Sequence, residues 1–177
     1  MPGLATLAEA FRYPTPGGLA ALQAGALTLP PGRSRSMFAS FLQAIEPLSL
    51  AAWEELFTRT LDLDPLVAPY VAYQVWGERY QRGELMAELN RAYAETDLDT
   101  DGELPDHLVP VLRYLDREER PVAALCDALS PALSAMRESL AAADAASPYL
   151  YLLDATREVV AASLRPDPDP AHEGRTP

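Results

Sequence analysis

Alanine and leucine fill about a third of this chain, with 30 and 28 of its 177 residues, whereas isoleucine occurs once. Both are among the strongest helix formers, and scarce β-branched residues leave little from which to build strands. The composition predicts an all-α fold, the length a single domain, and the segment boundaries that follow a bundle of eight to ten helices. The length and the hydrophobic fraction of 49% suffice for a core that needs no disulfide.

Proline and glycine divide this helical material into legible segments. Leu4, Leu7, Ala8 and Phe11 repeat at helical spacing and stop before Tyr13-Pro14. A second, short helix is expected over Gly18 to Ala26. Pro30-Pro31-Gly32 and the following Arg33 to Ser36 read as a loop, and a third helix as Ser36 to Ile45. Ser49 is a suitable N-cap for a fourth, with Leu50, Trp53, Leu56 and Phe57 as its apolar stripe. Asp64-Pro65 reads as the start of a fifth that ends at Gly77 and carries Tyr70, Tyr73 and Trp76 three residues apart. A sixth runs from about Glu78 to Glu95 and a seventh starts at Pro105. Ser130-Pro131 and Ser147-Pro148 read as cap-plus-proline starts, so the remainder is expected as helices over 119–129, 131–145 and 148–164. The helical domain is thus 1–164. Residues 165–177, with four prolines and no large apolar side chain, read as a disordered acidic tail.

Several chemistries are excluded by inventory. All 14 basic residues are arginine, and without lysine there is neither a P-loop nor a Schiff base. A single cysteine, Cys126, allows no intrachain disulfide and no multi-cysteine metal site, and two histidines cannot form a three-His site. The expectation is a protein with no metal or cofactor of its own. No apolar run approaches the ~20 residues of a membrane span, and no basic stretch with an apolar core opens the sequence, so a cytoplasmic location is expected.

The net charge of -12 is unevenly placed. Residues 1–45 hold three Arg and one Glu, so the remaining eleven Arg face twenty-five acids further on. Such a surface repels nucleic acid and favours a basic partner. Six acids, Glu95, Asp97, Asp99, Asp101, Glu103 and Asp106, fall between Arg91 and Arg113 with no arginine among them. Asp97-x-Asp99-x-Asp101-Gly102 matches the first half of an EF-hand loop, but the ninth and twelfth positions are Pro105 and Leu108, so the ligand that closes the calcium shell is missing. An acidic turn between two helices is the expected reading, with Asp97, Asp99, Asp101 and Glu103 steering a basic segment within a Debye length of ~8 Å.

His107 beside Asp106 could serve acid-base chemistry, but neighbours on a helix diverge by about 100° and no nucleophile has a flanking motif. Cys126 reads as a buried structural thiol. A small hydrolase using the carboxylates of Asp97 to Asp106 is the alternative of another class, and a plain helical scaffold a third. Pro110 cannot donate to the carbonyl of Asp106, which would leave that oxygen to a ligand or water if the helix runs through both. Gly83 within an exposed helix costs ~1 kcal/mol relative to alanine, so close helix packing or the approach of a partner backbone is expected there.

The order of these features carries a resemblance. Tyr73 and Gly77 close one helix. Arg82-Gly83 with Leu85, Leu89 and Tyr93 follows, then the acidic turn, then Glu103-Leu104-Pro105-Asp106-His107-Leu108 with Val111, Leu112 and Leu115. Over roughly residues 5 to 160 the chain resembles the nitrate reductase assembly chaperones, the NarJ branch of the cytoplasmic molybdoenzyme chaperones that include the TorD and DmsD types. The resemblance implies a TorD-like all-helical protein, not an enzyme, monomeric or weakly dimeric, without membrane insertion. It further implies that the N-terminal region of a molybdoenzyme catalytic subunit, such as a nitrate reductase alpha subunit or a related exported enzyme, is held until molybdenum cofactor and iron-sulfur cluster are inserted. It assigns peptide binding to Leu104, Pro105, Asp106 and His107, with Tyr73, Trp76, Arg82 and Gly83 beside them. On that reading Asp106→Ala with His107→Ala lowers affinity without unfolding, and titration of His107 makes binding pH-dependent near neutrality.

Overall fold

In the computed structural model, which describes residues 3–63 and 66–164, nine α-helices and one short 3-10 turn make up the regular structure of the described residues. The helices are α1 (Leu4–Ala10), α2 (Gly18–Gly25), α3 (Arg33–Ile45), α4 (Leu50–Leu61), α5 (Val71–Trp76), α6 (Tyr80–Glu95), α7 (Leu108–Arg117), α8 (Ala123–Ala143) and α9 (Tyr149–Ser163). The fold is all-α, as the composition predicts. Residues 165–177, read as a tail, lie outside the described residues, as do Asp64 and Pro65.

One continuous core joins these helices. Leu4, Leu7 and Phe11 meet the fully buried α7 stripe of Leu108, Val111, Leu112 and Leu115. Phe38, Phe41 and Ile45 of α3 pack on α9, where the Tyr149 ring lies 5.3 Å from that of Phe41, tilted by 56°, and its hydroxyl receives a 3.3 Å hydrogen bond from Trp53 Nε1. Helix α8 joins α5 to α9. Ser49 caps α4 as expected, its Oγ accepting from the Ala52 amide at 3.2 Å.

Four boundaries differ from the sequence reading. Helix α3 starts at Arg33, directly after Gly32, so the arginine and serine pairs belong to its first turn and not to a loop. Helix α5 starts at Val71 rather than at Asp64-Pro65, because Ala68 precedes a proline and Tyr70 is extended, with φ -114 and ψ 112. Helix α7 starts at Leu108 rather than Pro105, and His107 is its N-cap. Helix α8 runs unbroken through Pro131, which was expected to begin a new helix. Pro131 and Asp127, whose carbonyl loses its helical donor, both face outward, where water can serve that carbonyl. Ala128, Leu129, Ala132 and Leu133 on either side are buried and hold both halves to one core.

A candidate docking site around a buried aspartate

The Pro105-Asp106-His107 segment lies alongside the extended entry to α5. Val71 donates its amide to the Asp106 carbonyl at 2.7 Å, and Leu108 donates to the Pro69 carbonyl at 2.9 Å, forming an isolated antiparallel bridge between Tyr70 and His107. The Asp106 carbonyl is therefore bonded within the protein and is not open to a ligand, contrary to the expectation from Pro110. Pro110 stands third in α7, where its missing N–H has no helical acceptor to lose. The Tyr93 hydroxyl donates to the Pro105 carbonyl at 2.8 Å inside the core, and burial pushes that phenol well above its ordinary range.

This backbone pairing seals Asp106, whose side chain is 0% exposed. Arg82 Nε donates to its Oδ2 at 3.1 Å, while Oδ1 accepts no hydrogen bond from a described residue. Arg82 reaches the site across its own helix end. One Nη donates to Glu78 at 2.7 Å, and the guanidinium carbon lies 5.3 Å from the centre of the Tyr73 ring and 5.8 Å from that of Tyr70. The result is a cation held between two tyrosines and two carboxylates, with a buried anion beneath it.

His107 is turned away from this pair. Its Nδ1 accepts the Val109 amide at 3.2 Å, and its ring meets Tyr70 edge to face at 5.3 Å. Asp106 pairs with Arg82, so the adjacent His and Asp do not form an acid-base couple. Burial lowers the His107 pKa to about 4, so the ring is neutral around pH 7 and the pH dependence expected near neutrality has no source there.

The residues expected to bind a partner thus separate by exposure. Pro105, Asp106 and His107 are buried, so the paired Asp106→Ala and His107→Ala test falls on two structural side chains. Trp76 is half-buried against the core. Tyr73, Leu104 and Gly83 flank the Arg82–Asp106 pair and face solvent. Among the described residues a Cβ added at Gly83 meets nothing within 4 Å, so close packing against them is not the reason for this glycine.

No known family model matches the chain, and no curated protein is significantly similar to it.

The acids expected to steer a partner divide in the same way. Asp101, in left-handed backbone at φ 56, accepts from Arg113 at 2.8 Å and from Arg12 on the same oxygen, which ties the turn to the end of α1 and to α7. Those guanidiniums hold its carboxyl below the usual range. Asp99 accepts the Asp101 amide at 2.8 Å. Neither Asp97 nor Asp99 makes an ion pair among the described residues, and both remain exposed. Burial, then the like charge of Asp62, raises the Glu103 carboxyl above its usual value. Among the described residues no group of three or more His, Cys, Asp or Glu could hold a metal ion. Sequence reasoning missed Glu78, although its spacing of four residues from Arg82 is a recognisable helical pair. It also missed Arg12, which meets Asp101 across 89 residues of chain with no local signal.

Proposed function

We propose that this protein is a non-enzymatic chaperone that binds the basic, amphipathic N-terminal segment of a molybdoenzyme catalytic subunit. The first candidate client is a respiratory nitrate reductase alpha subunit, held in the cytoplasm competent for molybdenum cofactor and iron-sulfur insertion. The observation that carries the reading is the Arg82–Asp106 centre, fixed between tyrosines and flanked by exposed Tyr73, Leu104 and Gly83, with the unpaired carboxylates of Asp97 and Asp99 on the adjoining turn. An apolar face of the client segment lies on Tyr73 and Leu104, its backbone comes close over Gly83, and its cations face the turn. The whole-chain charge of -12 favours the encounter.

Isothermal calorimetry with the client's N-terminal peptide tests this. Tyr73→Ala and Leu104→Ala are each expected to weaken binding by about tenfold, since truncating an interface anchor costs 1 kcal/mol or more. Leu104→Ala should leave the thermal midpoint unchanged because that side chain is exposed, and Tyr73→Ala should lower it only slightly, by what its ring contributes to holding Arg82 at 5.3 Å. Added salt should weaken binding further. A double variant that binds as the wild type does, or a peptide without measurable affinity, would end the proposal.

A further inference from the structure

A groove of about 1070 Å³ shares no lining residue with the Asp106 site. It lies between α1, the α1–α2 loop and α7, with Tyr13, Pro14 and Trp53 among its walls. In a chain of net charge -12, its charged lining is three cations, Arg12, Arg113 and Arg117, against two anions, Glu9 and Asp116. Glu9 lies 3.6 Å from Arg12. Arg117 follows Arg113 by one helical turn, is exposed, and makes no ion pair with a described residue. Arg12 and Arg113 already show what such a pair takes, since one carboxylate oxygen of Asp101 sits between them from outside the groove. The volume is at the upper end of what small-molecule sites occupy, so it suits a length of chain better than a compact ligand.

We infer that this groove docks an acidic polypeptide segment of a partner, with an apolar side chain against Tyr13 and Trp53 and carboxylates on Arg113 and Arg117. The inference is independent of the basic-segment reading at Asp106, because it concerns other residues and the opposite charge. An incoming carboxylate also competes with Asp101 for Arg113, so occupancy loosens the tie between α7 and the acidic turn.

The two tryptophans, Trp53 and Trp76, give ¹⁵N-labelled protein two indole N–H resonances, which Trp76→Phe assigns. The probe is the peptide acetyl-Glu-Leu-Asp-Glu-Leu-Asp-amide, compared with its Gln/Asn counterpart. The acidic peptide is expected to move the Trp53 resonance saturably and to bind about tenfold tighter than the amide counterpart at low salt. Arg117→Glu should weaken it by about tenfold with an unchanged thermal midpoint, and should leave calorimetric binding of the basic client peptide unaltered. Should Arg117→Glu lower the midpoint, Arg117→Gln is measured instead, with a loss of about threefold. No saturable shift at millimolar peptide, equal affinity for the amide counterpart, or full affinity in the Arg117 variants would each overturn the inference.

Discussion

Asp101 and Asp106 stand five residues apart in one turn, and each is held by arginine, yet they belong to different physical regimes. The side chain of Asp101 is 38% exposed and shares one oxygen between Arg12 and Arg113. Asp106 is sealed under Arg82, with one oxygen bonded and the other without a donor among the described residues. Water screens the first cluster and restores much of what a lost partner would remove. The second has no such reserve, because a carboxylate taken out of water needs its cation. Equal contributions to a charge count therefore become a surface tie in one case and a structural centre in the other.

The sharpest way to break this contrast is Arg82→Met, which leaves the Asp106 carboxylate buried without its cation. A loss of about 3–5 kcal/mol is expected in urea unfolding. Combining it with Asp106→Leu removes the stranded charge and should recover at least half of the loss. A single variant within ~1 kcal/mol of wild type would place Asp106 in the same regime as Asp101.

The next effect is on pH. The folded His107 imidazole has a pKa of about 4 against an ordinary 6.5, because burial disfavours its charged form. Between these values the unfolded state binds more protons, so stability rises with pH. The contribution is complete above the unfolded value and is lost as pH falls through the folded one, a span of about 3 kcal/mol. Asp101 also loses stability in acid, but only around and below the ordinary aspartate range, since its arginines lower its pKa. His107→Asn keeps a side chain able to cap α7 and should flatten the profile from pH 6.5 to 4. An unchanged slope in denaturation midpoints across that window would show that His107 is open to water.

Much of the helical order follows from proline and glycine placement, because those residues act locally. Ser49, Gly77 and the Tyr13-Pro14 stop behave as their chemistry dictates. Pro131 misleads because Ser-Pro is the same local signal whether a helix starts there or passes through. What decides is the burial of Ala128, Leu129, Ala132 and Leu133, a tertiary fact. The acidic turn was legible as a cluster, but its division was not. Asp101 is neutralised by Arg12 from the far end of the domain, and Asp106 is buried by a bridge between two segments that neither pattern nor composition connects.

Gly83 sharpens the contrast from the side of the partner. It stands beside Arg82 on an exposed helix face with open space where a Cβ would be. Gly83→Ala should therefore raise stability by about 0.5–1 kcal/mol through helix propensity alone. If a client backbone comes close there, the same methyl weakens peptide affinity while unfolding measurements improve. Improvement in both would mean that the glycine serves no interface.

The smallest effect is expected at Asp101 itself. Asp101→Asn removes the charge that joins Arg12 to Arg113, and as an exposed cluster this should cost about 1 kcal/mol or less. The loss should shrink toward zero near 1 M salt, where the Debye length falls to about 3 Å, while the Arg82→Met loss should persist because its partner is out of reach of mobile ions. Asparagine keeps the left-handed backbone at this position accessible, so strain at φ 56 does not confuse the measurement. Urea unfolding of both variants at low and high salt therefore tests the comparison directly. A salt-insensitive loss at Asp101 above ~2 kcal/mol would mean that the turn is anchored as deeply on its outer side as at Asp106.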